Sequence, residues 1–123
     1  MSTASIALVG AVAAFFFAMG VVALLRPDQV VALFGTTELT RDGRNEVRAV
    51  YGGFGIAVAF LLLSTLFFPV LRPGVLVTVG VALLGMAAGR MISALVDGSP
   101  GLHPWLFCAV ELVLSGALIL ALR

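Results

Sequence analysis

The sequence predicts an all-α membrane protein, with four antiparallel transmembrane helices in one bundle. Three observations predict it. Hydrophobic residues make up 62% of the 123-residue chain, and the mean hydropathy is +1.21. Only 11% of residues are charged, against about a quarter in ordinary soluble domains. Four apolar runs are long enough to cross a hydrocarbon layer of ~30 Å, which takes about 20 helical residues. A soluble core of this size has no room for so much apolar surface. Lipid therefore solvates most of the chain, and the bilayer is its first expected partner. A soluble enzyme, a nucleic-acid-binding module and a disordered tail are excluded.

The first span is Ile6 to Leu25, uncharged throughout. It lacks the basic start of a secretory signal, and its apolar run exceeds the usual ~7–15 residues of one, so it reads as a retained helix. Arg26-Pro27-Asp28 ends it. Val30, Val31, Leu33 and Phe34 then form a short apolar stretch closed by Gly35. That stretch is read either as an amphipathic turn on the membrane surface or as a partly buried loop packed on the bundle. Thr36 to Gly43 reads as a polar loop. The second span runs from about Val47 to Phe68, ended by Pro69. Arg72-Pro73-Gly74 turns into the third, Val75 to Val96. The run from Asp97 to Gly101, with Pro104, marks the turn before the fourth, Trp105 to Leu122. Each span is expected to be helical, because lipid offers no partner to an unpaired backbone amide. Residues 1–123 thus read as a single four-helix domain without a soluble appendage. Arginine counts favour a cytoplasmic first loop and termini outside.

The polar residues carry the functional signal. Arg90 lies seven residues before Asp97, and Glu111 seven residues after Pro104. At 1.5 Å rise per residue, both sit about 10 Å below one membrane surface. Arg48 lies about 6 Å below the same surface. Three ionisable groups from three helices are therefore expected to converge. A charge near a helix centre costs ~2.5–3.5 kcal/mol by insertion scales, so such groups pair or serve a function. Glu111 is expected to face Arg90 inside the bundle, accepting hydrogen bonds from a guanidinium that keeps its charge. Tyr51 shares a helical face with Arg44 and Arg48, and Ser93 and Asp97 share a stripe with Arg90. Asn45, Glu46 and Gly52 are supporting positions, the first two as capping or interface residues. Two readings stay open: a buried pair that sets helix register, or a polar pocket open to one leaflet that holds a lipid head group or small molecule.

Other features read as structural. Gly85 and Gly89 form a G-x-x-x-G expected to pack helices, and Gly116 with Ser115 thins the fourth span. Phe15, Phe16 and Phe17 read as lipid-facing or core, Cys108 as a packed small residue, and His103 as a solvated loop residue. One histidine and one cysteine cannot build a His/Cys metal site. No metal, no cofactor and no nucleic acid are expected, and no nucleophile–base arrangement is evident.

The stretch from Arg44 to Gly53 (Arg-Asn-Glu-Val-Arg-Ala-Val-Tyr-Gly-Gly) resembles one signature of a family of small bacterial four-helix membrane proteins of unknown function. Gly89 to Gly98, followed by Pro100 and later Glu111, resembles its second. The family is distantly similar to DoxX-like four-helix proteins in topology. The resemblance implies a multi-pass protein of the bacterial inner membrane with no established activity. It picks out Asn45, Arg48, Gly52, Arg90, Asp97 and Glu111. The functional expectation is non-catalytic: an accessory or scaffold subunit packing against a larger membrane complex, such as a lipid or solute transporter, or against itself. The alternative is a small-molecule or lipid-head-group binder using the Arg/Glu pocket. A membrane enzyme ranks third.

Overall fold

A computed structural model describes residues 1–123. In chain order the elements are α1 (Thr3–Leu25), α2 (Pro27–Ala32), α3 (Arg41–Val47), a π-helical turn at Arg48–Gly53, α4 (Phe54–Ser64), α5 (Arg72–Asp97) and α6 (Leu102–Ala121). There are no strands. α3, the π turn and α4 form one rod, so four helices are long and apolar enough to cross a membrane. Their outer faces carry large exposed apolar side chains such as Val22, Phe60, Val81, Ile92 and Val113. That surface suits hydrocarbon, which offers no hydrophobic drive to bury it.

α1 packs between α4 and α6, and α5 lies along α6, whereas α4 and α5 touch only sparsely. The ring of helices is thus loose on one side. Val9, Leu62, Leu76, Leu83 and Leu118 belong to the main core. Most of that core fills the half of the bundle nearer the chain termini. In the other half, Ala23, Val30 and Val47 make a separate small cluster that docks α2 and α3 on the end of α1. The stretch after Pro27 is therefore a short helix packed on the bundle, with Pro27 and Val30 buried.

Backbone chemistry sets the joints. Proline at N1 starts α2, where a missing N–H costs nothing. α2 closes in a Schellman turn: Gly35 adopts φ +85°, its N–H donates to the Ala32 carbonyl, and the Thr36 N–H donates to Val31. The second span begins earlier than its hydropathy suggests, because the Thr40 hydroxyl caps α3 by accepting from the Gly43 N–H at 3.0 Å. Arg41 to Gly43 are thus helical rather than loop. α4 ends at Ser64, short of the expected Phe68; Pro69 drives Phe68 out of helical dihedrals. Arg72 and Pro73 form the first turn of α5 rather than a turn before it. His103 and Pro104 likewise lie in the first turn of α6, where His103 is exposed and proline is tolerated.

Small residues matter at different places from those expected. A Cβ on Gly20 would lie 2.8 Å from the Gly52 carbonyl oxygen and 2.9 Å from the Ile56 nitrogen. A Cβ on Gly55 would lie 3.0 Å from the Phe16 carbonyl oxygen. Gly20, Gly52 and Gly55 are therefore the seam that brings α1 against the π turn and α4. Gly80 plays a related part between α5 and α6, where the buried Ser115 hydroxyl donates to its carbonyl at 2.9 Å. Gly85, Gly89 and Gly116 meet nothing within 4 Å. The G-x-x-x-G of α5 points away from the bundle, so it does not pack these helices together.

Candidate functional site

The ion pair forms where α5 and α6 run side by side. Arg90 Nε donates to both Glu111 oxygens, at 2.9 Å to Oε1 and 3.0 Å to Oε2, and Nη2 lies 2.8 Å from Oε1. The Arg90 side chain is 23% exposed and that of Glu111 only 4%. Nη1 has no hydrogen-bond partner in the protein, yet no buried polar side-chain atom is left unpartnered. The free edge of the guanidinium therefore faces accessible space. Just beside the pair, the Cys108 thiol donates to the Ala87 carbonyl at 3.8 Å, which ties the two helices together.

Two aromatic rings hold the guanidinium from outside the pair. Its carbon lies 5.8 Å from the Phe34 ring centroid and 5.6 Å from that of Phe107. The rings are themselves 5.5 Å apart and tilted by 48°. Cation–π contacts of this kind contribute about 0.5–2 kcal/mol each, more when water is excluded. Phe107 is placed by spacing, four residues before Glu111 on the same face of α6. Phe34 is placed by the Schellman turn, which ends α2 and folds the chain back at Gly35. A loop outside the four spans thus caps the buried pair.

The pair forms part of the wall of a cavity of about 530 Å³. Phe15, Phe16 and Met19 of α1 line one side, and Leu83 and Met86 of α5 the opposite one. Ala49, Val50 and Tyr51 of the π turn, with Phe54, form the remaining wall. Val50, Phe54 and Met86 are well exposed and flank the place where α4 and α5 barely touch. The opening therefore lies sideways, toward the lipid. A π turn makes i→i+5 bonds and widens the backbone, and such turns recur at functional sites. Here the Phe54 N–H reaches the Ala49 carbonyl, and the widened turn presents its apolar side chains to the cavity.

The structure brings Arg90, Glu111 and Tyr51 to one cavity. It does not bring Arg48 there. Arg48 Nε donates to the Leu24 carbonyl at 2.9 Å, satisfying one of the free carbonyls at the end of α1. The expected convergence of three ionisable groups is thus corrected to two. The π turn breaks the regular spacing between Arg48 and Tyr51, and the nearby helix end competes for the guanidinium. We expect Arg48→Gln to cost about 1 kcal/mol of stability in an unfolding titration, the worth of a hydrogen bond from a charged donor reduced by exposure, and to leave the cavity intact.

The remaining predicted positions also lie outside the cavity. Ser93 and Asp97 are exposed on the last turns of α5. Asn45 and Glu46 are exposed on α3, whose cap is Thr40. Gly52 is buried, in the seam with α1 rather than beside the ion pair. Phe15 and Phe16 line the cavity rather than serving only as core or lipid contacts, whereas Phe17 points outward and meets Phe60 edge-on. Sequence reasoning passed over Phe34 and Phe107. The i, i+4 spacing of Phe107 and Glu111 and the glycine after Phe34 were the available signals.

No curated protein and no solved structure matches this chain. The cavity draws its walls from every span and from α2, so the site is a property of the whole fold and not of a detachable motif. A family match covers the same extent: across residues 5–122 the chain belongs to the family described as Domain of unknown function (DUF4345).

Proposed function

We propose that the protein is a non-catalytic intramembrane binder of an apolar, lipid-sized molecule that reaches the cavity sideways between α4 and α5. The single observation that carries this reading is the 530 Å³ apolar cavity with a buried ion pair in its wall. Folded interiors hold few voids larger than a water molecule. Small-molecule sites, by contrast, span ~300–1,000 Å³, are mostly apolar, and carry a few convergent polar groups. An ion pair used only to set helix register does not require an open space beside it. The reading places the protein in a bacterial inner membrane with its termini outside, and it assigns no catalytic step.

A second reading, an accessory subunit of a larger membrane complex such as a transporter, draws support from the outward-facing Gly85 and Gly89, where a close helix neighbour would fit. One experiment reads both. Native mass spectrometry of gently solubilised protein is expected to show a retained apolar small molecule. Met86→Trp, which places an indole at the cavity mouth, is expected to lower its occupancy about tenfold or more. A wild-type protein that carries no such molecule and instead travels with a larger protein would replace the binder with the subunit.

A further inference from the structure

We infer that the cavity selects a ligand whose head is an uncharged hydrogen-bond acceptor of carbonyl type, such as a neutral lipid ester or amide, and that Glu111 excludes anionic heads. The inference rests on the binding reading above and adds the chemistry of the ligand.

The donors are specific. Arg90 spends Nε and Nη2 on Glu111 and keeps Nη1 without a protein partner. Tyr51 is the one uncharged polar side chain among the residues of the cavity wall. An acceptor beside Arg90 thus meets a donor, Nη1, that no protein group uses. Everything else around it is apolar, which suits a chain or ring rather than a polar solute.

The charge balance decides the rest. Arg90 and Glu111 are the only charged residues in the wall, and they cancel. No second cation lines the cavity; Arg48 donates to the Leu24 carbonyl and Arg44 to the Leu39 carbonyl. An anionic head at Nη1 would meet a guanidinium whose charge Glu111 already cancels, so little would offset the loss of its hydration, and the neighbouring Glu111 carboxylate would repel it. A neutral carbonyl makes the same hydrogen bond without that repulsion. The Phe34 and Phe107 rings keep the guanidinium from swinging away from Glu111 to meet an anion.

The test uses two probes of the same shape, lauramide and laurate, with the full-length protein in detergent micelles at about pH 8, where the fatty acid is ionised. Native mass spectrometry or a fluorescence displacement assay reads occupancy. Wild type is expected to prefer lauramide by about tenfold or more. Glu111→Gln, which keeps a hydrogen-bonding side chain while freeing the Arg90 charge, is expected to raise laurate affinity by a similar factor and reverse the preference. Wild-type protein that takes laurate as well as lauramide overturns the inference and leaves the binding reading standing. Binding of neither probe overturns the inference, and an empty cavity in protein from the native membrane overturns the binding reading as well. If Glu111→Gln fails to fold, the wild-type preference decides, and Arg90→Gln is expected to lose lauramide about tenfold.

Discussion

Replacing Glu111 with alanine is expected to lower the unfolding free energy by about 3 kcal/mol, near the lower end of the range for breaking a buried ion pair. The cost comes from what is left behind. Arg90 stays charged, is enclosed by Phe34 and Phe107, and loses its one carboxylate partner. The partial exposure of Arg90 lets it recruit some solvation, which holds the loss below the upper end of that range. Replacing both partners, Arg90→Met with Glu111→Leu, is expected to recover most of the loss, since apolar side chains of similar volume substitute well for a buried pair. Denaturant unfolding of wild type and the two variants in detergent checks both outcomes. A Glu111→Ala protein as stable as wild type would show that the pair does not join α5 to α6.

The second large effect is expected at Gly20. Gly20→Ala places a methyl group 2.8 Å from the Gly52 carbonyl oxygen and 2.7 Å from the Ile56 side chain. The Gly52 oxygen and the Ile56 nitrogen at 2.9 Å are backbone atoms, so rotamer changes cannot relieve the clash. α1 must separate from the π turn, at a cost of about 2–3 kcal/mol, the upper part of the range for overpacking a well-packed interface. Because the same π turn walls the cavity, the variant is also expected to bind the ligand less tightly. Gly85→Ala and Gly89→Ala are the matched controls. Their added Cβ atoms meet nothing within 4 Å, and each is expected to stay within about 0.5 kcal/mol of wild type. Thermal unfolding of the three variants side by side separates packing glycines from exposed ones.

The four spans were legible because each is a local property: a run of apolar residues long enough to cross lipid, bounded by proline, glycine and arginine. The Arg90–Glu111 pair was legible too, through depth. Two charges set equally far inside adjoining helices have few partners other than each other. The boundaries were less legible. The Thr40 cap extends the second span into polar sequence that hydropathy alone reads as loop, and Pro104 begins a helix instead of preceding one.

Arg48 shows where local reasoning stops. Its depth, though shallower, pointed to the same leaflet as Arg90, yet a carbonyl at the end of α1, 24 residues earlier in the chain, lies within its reach. Nothing in the spacing around Arg48 announces that acceptor, or that the backbone widens into a π turn there. The glycines teach the same lesson. G-x-x-x-G at Gly85 has the pattern of a packing motif and packs nothing in this chain, whereas Gly20, in no recognisable motif, sets the closest helix approach.

The sequence by itself determined the solvent, the number of spans and the pairing of the two deep charges, because hydropathy and helical rise act along the chain one residue at a time. Only the tertiary structure decided that α4 and α5 stay apart, that a loop phenylalanine and Phe107 flank the guanidinium, that a π turn walls the cavity, and that a cavity remains. Those features depend on which surfaces meet across the bundle, and close packing between distant segments is set by shape in three dimensions rather than by composition along one.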